Sequence, residues 1–443
     1  MTDTLATGYA GQDGAAESAI ERRTMRKVMT RLAPLMAIMF LVNNLDRVNV
    51  SFAALTMNQD LGLTALSYAW GAGIFFVGYF LFEIPSNLIM ERVGARLWMA
   101  RIMITWGVIS GATAFVVDHT SFLVVRFLLG AAEAGFVPGI LLYITYWFPP
   151  RYRARAIALF LVAQPLSFAV AGALSAPLLK MDGFMGLHGW QWMFILEAVP
   201  SVLLAFVVLR VMTDKPRDAA WLTEEERTWL TKQCGPAEVH ASPKQQLKLI
   251  ANRRVALLSA IYIGRTTAMY GISLFLPLIL KGMGLSNTQS GFLSVIPFAV
   301  ATVGALLWGY SSDRTGERHW HTILTMVLAA AGLFAAGLIG PSTIALVAIS
   351  AAAIGLYSQP ACFYALPPMM LASAGTAAAL AAINSVGNLG GFIGPYVVGW
   401  AQEATGSYSG GLYVLAGFAA VSGVLGYVLK RLRWEDTPVP ARL

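Results

Sequence analysis

Residues 87–96 read Asn-Leu-Ile-Met-Glu-Arg-Val-Gly-Ala-Arg, and residues 309–318 read Gly-Tyr-Ser-Ser-Asp-Arg-Thr-Gly-Glu-Arg. Both contain acid-Arg-x-Gly-x-Arg, first as Glu91, Arg92, Gly94 and Arg96, then as Asp313, Arg314, Gly316 and Arg318. The copies stand 222 positions apart, half of the 443-residue chain. A motif recurring at half the chain length implies two halves of like construction.

The sequence around both copies is apolar. Hydrophobic residues make up 57% of the chain and charged residues 12%, against about 25% charged in soluble domains. So little charge suits a chain solvated by lipid. A spanning helix needs about 20 apolar residues. Twelve such stretches can be read: 33–56, 67–89, 97–117, 121–146, 155–179 and 190–212, then 255–280, 288–311, 320–339, 342–365, 376–400 and 408–430. Each copy of the motif follows the second span of its half. The expected fold is an all-α membrane protein, twelve transmembrane helices in two pseudo-symmetric six-helix halves. The expected division is a tail over 1–32, a first half over 33–212, a linker over 213–254, a second half over 255–430 and a tail over 431–443.

The net charge of +8 could suggest nucleic acid, but its placement argues for a topology signal. With the N-terminus inside, the outer loops hold only Lys180 and Lys281, while Arg47, Arg126 and Arg265 lie within spans. The other 26 of the 31 Lys and Arg fall in cytoplasmic segments or at cytoplasmic helix ends, as the positive-inside rule requires. Both termini are therefore expected in the cytoplasm. The first thirty residues show no apolar core followed by a cleavage site, so the first span is expected to direct insertion. The linker carries Glu224, Glu225 and Glu226. One amphipathic helix is expected near 222–233, with Thr223 as N-cap and acids in its first turn.

Other chemistries find no support. Cys234 and Cys362 make neither a disulfide framework nor a metal site. The five His residues form no His-Glu-x-x-His, and no Lys is followed by Ser or Thr, which excludes a P-loop. No enzyme, cofactor or metal is expected.

The repeat itself carries a resemblance. Gly-x-x-x-Asp-Arg-x-Gly-x-Arg resembles the loop signature of the major facilitator superfamily. The second copy fits with Gly309, Asp313, Arg314, Gly316 and Arg318; the first departs, with Asn87 for Gly and Glu91 for Asp. The resemblance implies a cytoplasmic gating latch at Asn87, Glu91, Arg92, Gly94, Arg96 and their second-half counterparts, with Glu83 beside it as an anchor. Further segments resemble the anion:cation symporter family, and most its bacterial tartrate, sugar-acid and aromatic-acid permeases. They are Asp46-Arg47-Val48-Asn49, Glu83-Ile84-Pro85-Ser86-Asn87, Ala100 to Gly107, Arg126 to Gly139 with Ala132-Glu133-Ala134-Gly135-Phe136, Gly183 to Gly186, and Gly189 to Phe194. The resemblance implies a monomeric, proton-coupled importer of a small organic anion in a bacterial inner membrane. It also implies that Asp46 and Glu133 carry the protons.

Ionisable residues inside spans are costly and usually functional. Asp46 and Arg47 point about 100° apart on one helix, so one can face a central cavity while the other meets a neighbour. Arg47 suits a cargo carboxylate, because its planar fork binds oxyanions in bidentate fashion. Arg126 and Glu133 share a helix face about 10 Å apart, with Gly130 between them leaving room for a ligand or a helix. Cargo that competes for Arg would release an acid to take a proton, which is a coupling mechanism. Arg265 is left open between a second cation for the cargo, a partner for an acid, and a water path. Glu197 is expected to be structural. Asn43, Asn49, Tyr79 and Gln164 in the first half, and Tyr270, Gln359, Asn384 and Asn388 in the second, complete a polar cavity suited to hydroxylated acids.

Overall fold

The structure is a computed structural model and describes residues 3–234, 252–371, 373–432 and 434. The first half contains spans Asp3–Asp60, Ala65–Val93, Ala95–Ala112, a fourth in two segments (His119–Glu133 and Phe136–Trp147), Pro150–Leu178 and Gly189–Val211. The second half contains Arg253–Gly282, an eighth span in two segments (Asn287–Leu293 and Val295–Thr315), His319–Ile339, a tenth (Ala345–Phe363 and Leu366–Met370), an eleventh (Ser373–Asn388 and Gly390–Thr405) and Ser409–Arg431. Among the described residues, ten of these are long and apolar enough to cross a membrane. The third and the eleventh complete the twelve. The third is short and carries Arg96 and Arg101, and the eleventh breaks at Leu389.

The first span differs from its expected extent. Residues 3–32 continue the helix instead of forming a separate tail. Met25, Val28 and Leu32 recur at helical spacing and are buried, so this extension has an apolar face to cover. The linker helix, Glu224–Cys234, helps to cover it. Thr223 and Glu226 close a capping box: the Thr223 amide donates to Glu226 (2.9 Å), and the Glu226 amide to Thr223 Oγ1 (3.3 Å). The enclosed Glu226 carboxylate also accepts from Arg23 Nε and Lys27 Nζ, both at 2.8 Å. Burial opposes its ionisation, but Lys27, the Thr223 amide and Arg23 hold its carboxyl below the usual glutamate value. Trp221 stacks on Trp147 at 5.3 Å, with Arg31 5.1 Å from the Trp221 ring.

Within lipid, helices associate through close packing, which small residues permit. A Cβ on Gly130 would stand 1.9 Å from the Phe75 carbonyl oxygen, and one on Gly355 2.2 Å from that of Thr325. The space beside Gly130 therefore belongs to the second span and leaves no room there for a ligand. The fourth span breaks just after Glu133. Gly135 takes φ +88°, and Ser86 Oγ fills the place where a Cβ would stand. Glu133 thereby ends a half-helix inside the bundle.

One end of the bundle is basic, carrying Arg92, Arg96, Arg151, Arg153, Arg318 and Arg431. At the opposite, far end several bonds tie the halves: Tyr68 Oη to Leu274 O (2.8 Å), Lys281 Nζ to Leu55 O (2.6 Å) and Thr64 Oγ1 to Glu403 Oε2 (3.1 Å). Trp70 adds edge contacts to Phe392 and Tyr396. Towards the basic end, Asn384 Nδ2 donates across the halves to Glu83 Oε1 at 3.3 Å.

Candidate functional site

The centre is built on Arg47. Its Nε donates to Glu133 Oε1 at 2.9 Å, and Nη2 converges on the same oxygen. Nη1 donates to the Tyr270 hydroxyl at 2.9 Å. Arg47 and Glu133 belong to the first half and Tyr270 to the second, so the bond to Tyr270 bridges the two halves at mid-depth. Glu133 Oε2 is buried and makes no direct hydrogen bond among the described residues, although Asn43 lies beside the carboxylate; the Tyr79 hydroxyl is also unpartnered among them. The rings of Phe75, Tyr79 and Phe76 lie 5.1, 5.2 and 5.9 Å from the guanidinium, so the cation is walled by aromatic faces.

Two further guanidinium groups flank this centre along the membrane normal. Arg126 lies seven residues before Glu133, about 10 Å towards the far end. It is fully buried, 5.2 Å from the Phe75 ring, and donates from Nε to Gly71 O at 3.4 Å. Its Nη1 and Nη2 have no partner among the described residues. Arg265 lies five residues before Tyr270, about 7 Å towards the basic end. Its Nε donates to Leu356 O at 2.9 Å, and Nη2 is unpartnered. Its observed partner is thus a backbone carbonyl. Both side-chain polar atoms of Gln359 are likewise buried without partners among the described residues, while Asn43 lies beside Glu133 and Asn49 beside Glu197.

Asp46 turns away from Arg47. Its carboxylate accepts from Ser110 Oγ (3.0 Å), Trp106 Nε1 (3.0 Å) and Ser201 Oγ, donors on the third and sixth spans. Its ring of donors contains no arginine. Glu197 sits near Asp46 and accepts from Ser175 Oγ at 2.8 Å. Gln164 is half-buried on the fifth span and Asn388 is buried on the eleventh.

Among the described residues, no three His, Cys, Asp or Glu side chains group as metal ligands. A sequence profile of the Major Facilitator Superfamily matches residues 36–395, and again 268–443.

The chain belongs to the major facilitator superfamily.

A protein of Agrobacterium vitis named "Putative tartrate transporter" is 47% identical over 95% of this chain and 94% of its own length. The "Quinolone resistance transporter" of Acinetobacter baumannii is 41% identical over 92% and 95%. The inner membrane transport protein RhmT of Escherichia coli is 36% identical over 92% and 95%. Among solved structures, a bacterial homologue of the human lysosomal transporter Spinster superposes with a TM-score of 0.76 at 17% identity, covering 94% and 99%. A D-xylose–proton symporter gives 0.72 at 14%. This superfamily member is a multi-pass membrane transporter and not an enzyme.

Its two signature loops differ in detail. In the second, Arg318 Nη2 pairs with Asp313 Oδ1 at 2.7 Å, its Nη1 donates to Ser312 Oγ at 2.9 Å, and Gly316 takes φ +68°. In the first, Asp214 from the linker meets the backbone and, among the described residues, no guanidinium. It accepts from the Arg96 amide at 2.8 Å and caps the third span, while Arg96 Nε donates to Leu209 O at 2.7 Å. Gly94 makes this possible, with φ +99° and Asp214 Oδ1 2.8 Å from where a Cβ would stand. Asn87 lies beside Gly135, and Arg92, Arg314 and Asp313 are exposed at the basic end. Glu83, expected to anchor the loop, instead accepts from Asn384, because it faces the eleventh span. Sequence reading also passed over Ser110, Ser201 and Asp214. Trp106 and Ser110 are four apart on one face of the third span, a spacing that could have marked them.

Proposed function

We propose that this transporter imports a small organic acid anion together with protons by alternating access. The observation that carries the reading is the buried Arg47–Glu133 pair, whose second carboxylate oxygen makes no direct hydrogen bond among the described residues, with the buried Arg126 and Arg265 on either side. A cargo carboxylate that takes Arg47 leaves Glu133 without a counter-charge. An uncompensated buried charge is strongly unfavourable, so Glu133 binds a proton when cargo binds. Asp46, held by neutral donors, is a second proton carrier. Arg126 and Arg265 give a dicarboxylate further cations along the path. The Arg47–Tyr270 bond couples the exchange to movement of the halves, and the signature loops latch the basic end. That end is read as cytoplasmic by the positive-inside rule. The ties at the far end then make this conformation inward-facing. Bacterial relatives of 36–47% identity support placement in an inner membrane.

Tartrate-like hydroxy acids fit the amide of Gln359, unpartnered among the described residues, and the Agrobacterium relatives' name agrees. The second reading is an aromatic carboxylate, favoured by Phe75, Phe76, Tyr79 and Tyr270 around Arg47. Uptake into proteoliposomes with an imposed proton gradient tests both readings. Accumulation of tartrate or of phthalate, abolished in Arg47→Ala and by collapse of the gradient, supports the proposal and selects the class. Uptake indifferent to the gradient would replace it with exchange or uniport.

A further inference from the structure

An open hollow of about 540 Å³ lies between the extension of the first span and the start of the fifth. Three exposed arginines, Arg22, Arg26 and Arg155, line it towards the basic end. Met29, Ala33, Pro34, Ala37 and Leu159 continue it into the apolar part of the bundle. From Arg26 to Ala37 is eleven residues, or about 16 Å of helix, the reach from a bilayer's headgroup level well into its hydrocarbon. Leu159 at 48% exposure and neighbouring Ile38 at 50% show that this wall faces the surrounding medium.

The charges separate cleanly. Arg23 and Lys27 are committed to Glu226, and Arg151 pairs with Glu21. Arg22, Arg26 and Arg155 have no acidic partner among the described residues. Three cations without an acidic partner among the described residues therefore rim a hollow whose inner wall is mostly hydrocarbon, with Thr30 and Tyr152 beside it. A soluble anion would match only the rim, and an acyl chain only the wall.

We infer that this groove is a binding site for one anionic phospholipid, its phosphate held by Arg22, Arg26 and Arg155 and its acyl chain laid along Met29, Pro34 and Leu159. Basic pockets between spans hold such headgroups. The lipid fastens the extension of the first span, which carries Arg47, to the fifth. The site is independent of the identity of the cargo.

The test uses the purified full chain in detergent, titrated with phosphatidylglycerol, cardiolipin or phosphatidylcholine and read by thermal midpoint. The midpoint rises with the two anionic lipids and not with phosphatidylcholine. The triple variant Arg22→Gln/Arg26→Gln/Arg155→Gln needs on the order of a hundredfold more anionic lipid for the same rise, about fivefold per charge. A charge-matched control, Lys215→Gln/Arg217→Gln/Lys232→Gln, keeps the wild-type response. An unchanged titration in the first triple variant overturns the proposal. So does a rise of equal size with inorganic phosphate alone, which assigns the groove to a soluble oxyanion. If the triple variant fails to fold, Leu159→Trp, which blocks the apolar wall, must weaken the anionic-lipid response; an unaltered response also overturns it.

Discussion

Arg47 and Glu133 are joined through a single carboxylate oxygen: two guanidinium N–H groups converge on Oε1, while Oε2, with Asn43 beside the carboxylate, makes no direct hydrogen bond among the described residues. The third guanidinium position bonds Tyr270 of the other half. One ion pair is thus tied by a direct bond to the other half of the bundle.

Breaking this pair from one side leaves a charge buried alone. Arg47→Ala is expected to cost about 3–5 kcal/mol, and Glu133→Gln less, since its amide can still accept from Arg47. The double variant Arg47→Ala/Glu133→Gln is expected to recover part of the loss. Thermal unfolding in detergent across the cycle measures the coupling. Simple addition of the single losses would show that the pair is not energetically joined.

Asp46 touches neither Arg47 nor Glu133 through a hydrogen bond, but rests on Trp106, Ser110 and Ser201. Asp46→Asn is therefore expected to bind tartrate or phthalate within about threefold of wild type, a change under about 1 kcal/mol. Its proton-driven accumulation is expected to fall to equilibration. Calorimetric binding and vesicle uptake separate the two effects. Accumulation at the wild-type level would remove Asp46 from the proton path.

The linker helix carries a pH-dependent clamp. Glu226 has its carboxyl held below the ordinary glutamate value, against its burial, by Lys27, the Thr223 amide and Arg23. A depressed folded-state value gives stability that is present above the unfolded value of about 4.3 and lost as pH falls through the depressed one. Glu226→Gln is expected to cost about 1–2 kcal/mol at pH 7. The gap in thermal midpoint from wild type should close as the pH is lowered below 4. A gap that is constant down to pH 3 contradicts the clamp.

Gly130 meets the Phe75 carbonyl with no side chain to spare. Gly130→Val forces the second and fourth spans apart and is expected to cost about 3 kcal/mol. Because those spans carry Phe75, Arg126 and Glu133, cargo binding should fall with it. Gly417, with open space at its Cβ, is the control: Gly417→Ala should leave both unchanged.

The repeat at 87–96 and 309–318, the apolar stretches and the arginines inside them made the fold legible in the sequence. Intramembrane charge is so costly that Asp46, Arg47, Arg126, Glu133 and Arg265 stood out without a structure. Their partnerships did not. The 100° between Asp46 and Arg47 says that they diverge, but only the packing of the third and sixth spans around Asp46 says which of them leaves the cavity. Glu83 sits four residues from Asn87, yet its helix face meets the eleventh span and so Asn384. Asp214 reaches the Arg96 amide through a linker fold that no periodicity announces. Side chains 46 and 110, or 83 and 384, meet through tertiary packing, which local spacing does not encode.

In the proposed mechanism cargo takes Arg47 and Glu133 takes a proton in its place. The direct measurement is proton uptake by the purified protein when tartrate or phthalate binds, from calorimetry near pH 7 in buffers of different ionisation enthalpy. The account predicts net uptake approaching one proton per bound anion in wild type and close to none in Glu133→Gln with binding retained. Equal uptake in both proteins, or none in wild type while the anion still binds through Arg47, would contradict it.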